Sequence, residues 1–128
     1  MMGLQIENLI LYNRHLLQKS LDIHQQEIIC DNPFFRHNTV KKPGCQIDYL
    51  IQTRFNTLYL CEIKFSKKTI QKDIIEEIQQ KIKRLAAPKN FSIRPVLIHC
   101  NSVAETVEES GYFSQIINFT EFLDHSVV

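Results

Sequence analysis

Residues 45–65 read CQIDYLIQTRFNTLYLCEIKF, two apolar runs divided by a short polar stretch. Cys45 to Gln52 and Leu58 to Phe65 are rich in Ile, Leu, Tyr and Phe, the composition of strands. Thr53-Arg54-Phe55-Asn56-Thr57 is short enough to join them as a hairpin. Symmetry about Phe55 sets Gln52 opposite Leu58, Leu50 opposite Leu60 and Asp48 opposite Glu62. Strand side chains alternate between faces, so positions 48, 50, 52, 58, 60, 62 and 64 share one side. The other side carries Ile47, Tyr49, Ile51, Tyr59, Cys61, Ile63 and Phe65. Both sides are largely apolar, which predicts a central hairpin covered on both faces.

Charges in such a place are costly unless they are paired or bound to metal. Like charges directly across two strands repel as well. A divalent cation between Asp48 and Glu62 would reverse that penalty. Mg²⁺ (or Mn²⁺) suits one or two carboxylates completed by waters and a phosphate oxygen. The plainer alternative is an ion-paired trio in which Lys64 neutralises both acids at a sheet edge. The geometry depends on register, because a one-residue slip would move Asp48 off this face.

Outward from the hairpin, Leu4 to Leu21 has a helical stripe of Ile6, Leu9, Ile10, Leu16, Leu17 and Leu21, with Glu7 at its border. Glu27 to Cys30 reads as a short strand, and Asp31-Asn32-Pro33 as a break. Phe34 to Lys42 is basic and aromatic, an extended arm or irregular strand closed by the turn Pro43-Gly44. Ile70 to Leu85 is the clearest helix, with Ile70, Ile74, Ile78, Ile82 and Leu85 in one row, ended by Ala86-Ala87-Pro88. Arg94 to Cys100 predicts a buried strand, Val103 to Glu109 a short helix, and Phe113 to Asn118 a last strand before a helical turn at Phe119 to Leu123. That order predicts an α/β fold, a mixed sheet flanked by helices. A chain of 128 residues suits a single domain, 1–128.

Composition narrows the classes. A hydrophobic share of 44% with 23% charged residues argues against disorder. No apolar run reaches the roughly 18 residues of a membrane span, and the first residues lack the pattern of a signal peptide. The expectation is a cytoplasmic protein with no membrane contact. Cys30, Cys45, Cys61 and Cys100 form no Cys-x-x-Cys pair, so buried thiols are expected rather than a zinc ribbon. His99-Cys100 is expected to fill core at a strand end. The histidines His15, His24, His37 and His125 are scattered and suggest no triad, and Ser66 has no His-acid pair near it in sequence. Charge is uneven. The stretch from Arg36 to Lys89 is rich in Lys and Arg, whereas Asn101 to Val128 holds acids and no Lys or Arg. A basic middle can meet a polyanion.

Asp48, Glu62 and Lys64 on paired strands, after a helix carrying Glu7 and before a long helix, resemble the PD-(D/E)xK phosphodiesterase superfamily. The segments 44–51 (GCQIDYLI) and 60–66 (LCEIKFS) are similar to the C-terminal domain that follows the ATPase module in bacterial and archaeal AAA-type ATPases. Gly3 to Asn8 and Glu108 to Asn118, with Ser110-Gly111-Tyr112-Phe113, resemble that domain too. The resemblance implies a restriction-endonuclease-like αβββαβ core. It implies Asp48 and Glu62 as metal-binding carboxylates, Glu7 as a helix acid supporting the metal, and Lys64 as the residue that orients the attacking water or stabilises phosphate charge. Some relatives use a Gln on the following helix, for which Gln79 and Gln80 are the candidates. The parent ATPases carry a phosphate-binding loop, and no Gly-x(4)-Gly-Lys-Ser/Thr occurs in this chain.

The function expected is Mg²⁺- or Mn²⁺-dependent phosphodiester hydrolysis of nucleic acid, with DNA as the favoured substrate. Lys41, Lys42, Arg54, Lys67, Lys68 and Lys72 are candidates for contacts to the phosphate backbone. The alternative is a catalytically silent nuclease-like domain for binding or assembly, a detached end of an AAA-type ATPase. An ATPase partner and a homodimer are both compatible with it. A small regulatory protein would leave the Asp48–Glu62 juxtaposition unexplained.

Overall fold

A computed structural model describes residues 8–121. Among these residues, five strands form one sheet in the order β1-β2-β3-β4-β5. They are β1 (Ile28–Arg36), β2 (Cys45–Thr53), β3 (Thr57–Lys64), β4 (Ser92–His99) and β5 (Gln115–Asn118). The first three run as an antiparallel meander, and β4 and β5 add in parallel. Parallel neighbours need a crossover. Helix α2 (Asp73–Leu85) supplies it between β3 and β4, and α3 (Glu105–Glu109) between β4 and β5. Helix α1 (Arg14–Ser20) precedes the sheet. The fold is α/β, a mixed sheet with flanking helices.

The hairpin register is the expected one: Leu50 faces Leu60 and Gln52 faces Leu58. Its turn holds Phe55 and Asn56 at φ of 67° and 54°. Asn adopts this region readily and Phe rarely does. In β4, Val96, Leu97 and Ile98 are all buried in succession, as expected of a strand covered on both faces. Helix α2 buries Ile74, Ile78 and Leu85. Asp73 and Glu76 lie in its first turn and Lys83 and Arg84 in its last, complementing the helix dipole.

Two cores lie on opposite sides of the sheet. Ile10 and Leu17 pack on Tyr49, Ile51, Ile63 and Ile98. Ile74 and Ile78 pack on Ile47, Leu60 and Leu97. Ile47 is therefore separated from Tyr49 and Ile51, against the expectation of strict alternation. The cause is a bulge. Asn32 pairs with Leu50 and Phe34 with Ile47, so the step from Asn32 to Phe34 on β1 is matched by a longer one on β2. An extra residue re-aims the side chains that follow it, and Asp48 lies inside this bulge.

Other expectations need correction. The helix expected over residues 4–21 is described from residue 8 and is interrupted at Asn13, whose side chain donates to the Leu9 carbonyl at 2.9 Å. Asp31-Asn32-Pro33 does not break the chain, and β1 runs through it. β1 is an edge strand, and an edge tolerates the missing N–H of Pro33. The arm expected over 34–42 begins as the end of β1 and continues as a tight connection. There the Thr39 hydroxyl accepts from the Lys42 N–H at 3.0 Å, and the Asn38 side chain accepts from the Gly44 N–H at 3.1 Å. A Cβ at Gly44 would stand 3.0 Å from the Asn38 backbone nitrogen, so glycine permits this close approach. Cys30 is exposed, not buried, while Cys45 and Cys61 are buried as expected.

Candidate active site

The last hydrogen-bonded pairing of β2 with β3 at this end is Tyr49 with Cys61. Beyond it the Asp48 carboxylate takes over. Its Oδ2 accepts from the Ile63 N–H at 2.8 Å. A side chain on the bulge thus binds a backbone donor of the neighbouring strand, which fixes Asp48 beside Glu62.

Glu62 is 3% exposed. Lys81 of α2 donates to both of its oxygens, at 2.7 and 3.0 Å. The Lys64 ammonium lies 3.9 Å from Glu62 Oε1 and 3.1 Å from Glu77. The four form an alternating chain, Lys81–Glu62–Lys64–Glu77. Glu77 and Lys81 are four residues apart on one helix, so both meet the end of β3. Burial pushes the Glu62 carboxyl above its ordinary range, and Asp48 pushes it further; Lys81 and then Lys64 pull it back only in part. Burial alone would lower the Lys64 ammonium. The hydrogen bond and charge of Glu77, joined by Glu62 and Asp48, outweigh burial and raise it. The site therefore holds its lysine charged and its glutamate reluctant to ionise.

Two adjacent carboxylates are hard oxygen donors of the kind Mg²⁺ and Mn²⁺ take. Asp48 and Glu62 fit that donor set, with Lys81 holding the Glu62 oxygens a metal would need. Among the described residues, no group of three or more His, Cys, Asp or Glu could hold a metal. Glu7 lies outside the described residues. Asn8, the next residue in the chain, lines a 230 Å³ cleft together with Asp48.

Gln79 and Gln80 are exposed on α2. The residues α2 brings to the site are Glu77 and Lys81, which the sequence reading missed. Both flank the buried Ile78 row, and a search for charges bordering that row would have found them. Lys41 and Lys42 lie in the β1–β2 connection, and Lys67, Lys68 and Lys72 between β3 and α2, all on connections that leave the sheet at the Asp48–Glu62 end. Arg54 lies in the hairpin turn at the other end. Thr57, where β3 begins beside that turn, is about 17 Å along the strand from Glu62.

No protein-family model matches the chain, and no curated protein matches it. The solved structures include a repair endonuclease from Pyrococcus abyssi with a similar fold, at 12% identity and a TM-score of 0.57. The similarity covers 91% of this chain and 46% of that one, so the chain spans less than half of the endonuclease. The fold is restriction-endonuclease-like. No helix among the described residues is long and apolar enough to cross a membrane.

Proposed function

We propose that the chain is a metal-dependent nuclease of the PD-(D/E)xK kind, acting on nucleic acid and by preference on DNA. The observation that carries the reading is the hydrogen bond that holds Asp48 to the backbone next to Glu62 where β2 and β3 part, with Lys64 on the same strand, in an endonuclease-like fold. Asp48 and Glu62, with Glu7, would hold Mg²⁺ or Mn²⁺. When bound, the ion would supply Lewis acidity and a water of lowered pKa. The chain's own groups do the rest. Ile63 N–H orients Asp48. Glu77 holds Lys64 charged, so that its ammonium can stand beside a phosphate as a point charge. Lys41, Lys42, Lys67, Lys68 and Lys72 would contact the strand on either side, and such contacts position it without reading sequence.

The test is cleavage of single-stranded, duplex and branched DNA and of RNA, with Mg²⁺ and with Mn²⁺, against Asp48→Ala and Glu62→Ala. Loss of cleavage in both variants is expected. Equal cutting by Asp48→Ala and the unaltered protein would sink the reading.

One observation favours a second reading, a silent binding or assembly domain. Lys81 already satisfies both Glu62 oxygens, which is what a retired metal site would look like. An ATPase partner or a second copy belongs to this reading. Its signature is no rise in melting temperature at millimolar Mg²⁺ or Mn²⁺, because a ligand bound only by the folded state must stabilise it.

A further inference from the structure

We propose that Phe35 is a stacking platform for an unpaired nucleobase, between the Asp48 cleft and the lysine-bearing β1–β2 connection. This rests on the nuclease reading and narrows its substrate to strands with an unpaired base beside the scissile phosphate. The 230 Å³ cleft that contains Asp48 is also lined by Phe35 and Gln46. A second cleft of 420 Å³ is lined by the same Phe35 and Gln46, together with Arg36, His37 and Arg84. Phe35 and Gln46, paired across β1 and β2, are thus common to a cleft that holds a carboxylate and a cleft lined by cations.

Phe35 belongs to β1 yet is 62% exposed. A lone exposed apolar residue needs no explanation. This one is held in place and sits among charges. The His37 ring packs edge-on to it, with centroids 4.7 Å apart at 87°. Arg36, between them, points to the other side of the strand and donates to the Arg84, Leu85 and Pro43 carbonyls, which ties the end of β1 to α2. Those acceptors are neutral carbonyls and leave the guanidinium without a carboxylate partner among the described residues. Among the described residues, Arg84, Lys41 and Lys42 have no carboxylate within 4.0 Å. Their charge is available to phosphates.

A nucleic-acid strand has the matching order of parts. A phosphate at Asp48 would carry its neighbouring base over Phe35, and the next phosphate towards Lys41 and Lys42 in the β1–β2 connection. Gln46 offers a donor and an acceptor to a base edge. Stacking on a side-chain ring requires a base that has left its duplex stack. Such stacking is tolerant of base identity, because every base has a π-face.

The experiment measures binding of a labelled oligothymidylate and of an abasic strand of equal length by fluorescence anisotropy, with Ca²⁺ replacing Mg²⁺ to prevent turnover. The full chain is compared with Phe35→Ala, Phe35→Trp and the double variant Lys41→Ala/Lys42→Ala. Phe35→Ala is expected to bind oligothymidylate roughly five- to a hundredfold more weakly and the abasic strand as before. Phe35→Trp should bind both strands as the unaltered protein does. The lysine variant should weaken both strands alike. Equal binding of oligothymidylate by the unaltered protein and Phe35→Ala overturns the platform and leaves the nuclease reading standing. A chain that neither binds these strands nor cuts any nucleic acid overturns both. Phe35 is on the surface, so the alanine variant should melt as the unaltered protein does.

Discussion

Asp31 and Glu62 are both carboxylates drawn in against the sheet, one on each face, and their partners differ in kind. Asp31 Oδ2 accepts from the Tyr49 hydroxyl at 2.6 Å, from Gln18 at 3.0 Å and from Arg14 at 3.3 Å. Gln18 is itself 3% exposed, donates to the Tyr49 hydroxyl at 2.8 Å and accepts from Gln25 at 2.6 Å. Two neutral donors, joined at the rim by the half-exposed Arg14, lock α1 to β1 and β2. Glu62 is held by Lys81 and Lys64, long side chains that are themselves 26% and 37% exposed. Neutral, interlocked donors commit a carboxylate to one arrangement. Partly exposed lysines can turn away and leave Glu62 to another cation. On the proposed function, the first network stays and the second is exchanged.

The sharpest break in that comparison comes from removing each carboxylate. Glu62→Ala should lower the rate of nucleic-acid cleavage by about a hundredfold or more, the scale of losing a metal-site group. Asp31→Ala should leave cleavage per folded molecule unchanged. Steady-state rates on one substrate, normalised to folded protein by circular dichroism, decide it. Comparable rate losses would mean that both networks serve the chemistry.

Stability should show the opposite order. Asp31→Ala strips the acceptor from the Tyr49 hydroxyl and the Gln18 amide. Each buried group left unsatisfied costs about 1–3 kcal/mol. Urea denaturation should report a loss of about 2–4 kcal/mol, and Tyr49→Phe a smaller one. A loss below about 0.5 kcal/mol in Asp31→Ala would show that water replaces the carboxylate, and that this network does not lock the helix.

Lys81→Met tests whether the second network is exchangeable. Glu62 would keep Lys64 at 3.9 Å, so the metal-free protein should lose only about 1 kcal/mol, below the cost of stranding a fully buried charge. With both Glu62 oxygens released, Mg²⁺ or Mn²⁺ should raise the melting temperature more in this variant than in the unaltered protein. An equal or smaller rise would mean that Lys81 does not compete with the ion.

What the sequence revealed and what it hid follow the same division. The hairpin register could be read because apolar residues repeat on both strands around a short turn, and Leu50 does face Leu60. The α2 row could be read because Ile74, Ile78 and Leu85 recur at helical spacing. The bulge at Asp48 could not, since an extra residue leaves no mark in apolar alternation: Ile47 and Tyr49 look alike in sequence yet pack on opposite faces. Lys81 was hidden for a related reason. A lysine beside an apolar row is ordinarily solvated, and only the docking of α2 across β3 places it on Glu62. Gln18 and Asp31 were hidden because a polar residue reads as surface until its partners are known.

The smallest effect is also the most specific, since it separates burial from pairing at Glu62. Burial and Asp48 hold the folded carboxyl above its ordinary value of 4.5 in spite of two lysines. Between that value and the raised one, the folded chain binds more protons than the unfolded chain. The stability that protonated Glu62 contributes is therefore whole below the ordinary value and is lost as pH rises through the folded one. Measured against Glu62→Gln, which cannot titrate, the unaltered protein should lose stability over that acid interval, by less than about 1.4 kcal/mol per pH unit, the limit for one proton. Saturating Mg²⁺ should reverse the slope, because the ion binds the carboxylate and competes with the proton. A metal-free slope that rises with pH would mean that Lys81 and Lys64 outweigh burial. Glu62 would then be as firmly committed to its lysines as Asp31 is to Tyr49 and Gln18, and the contrast between the two faces would fail.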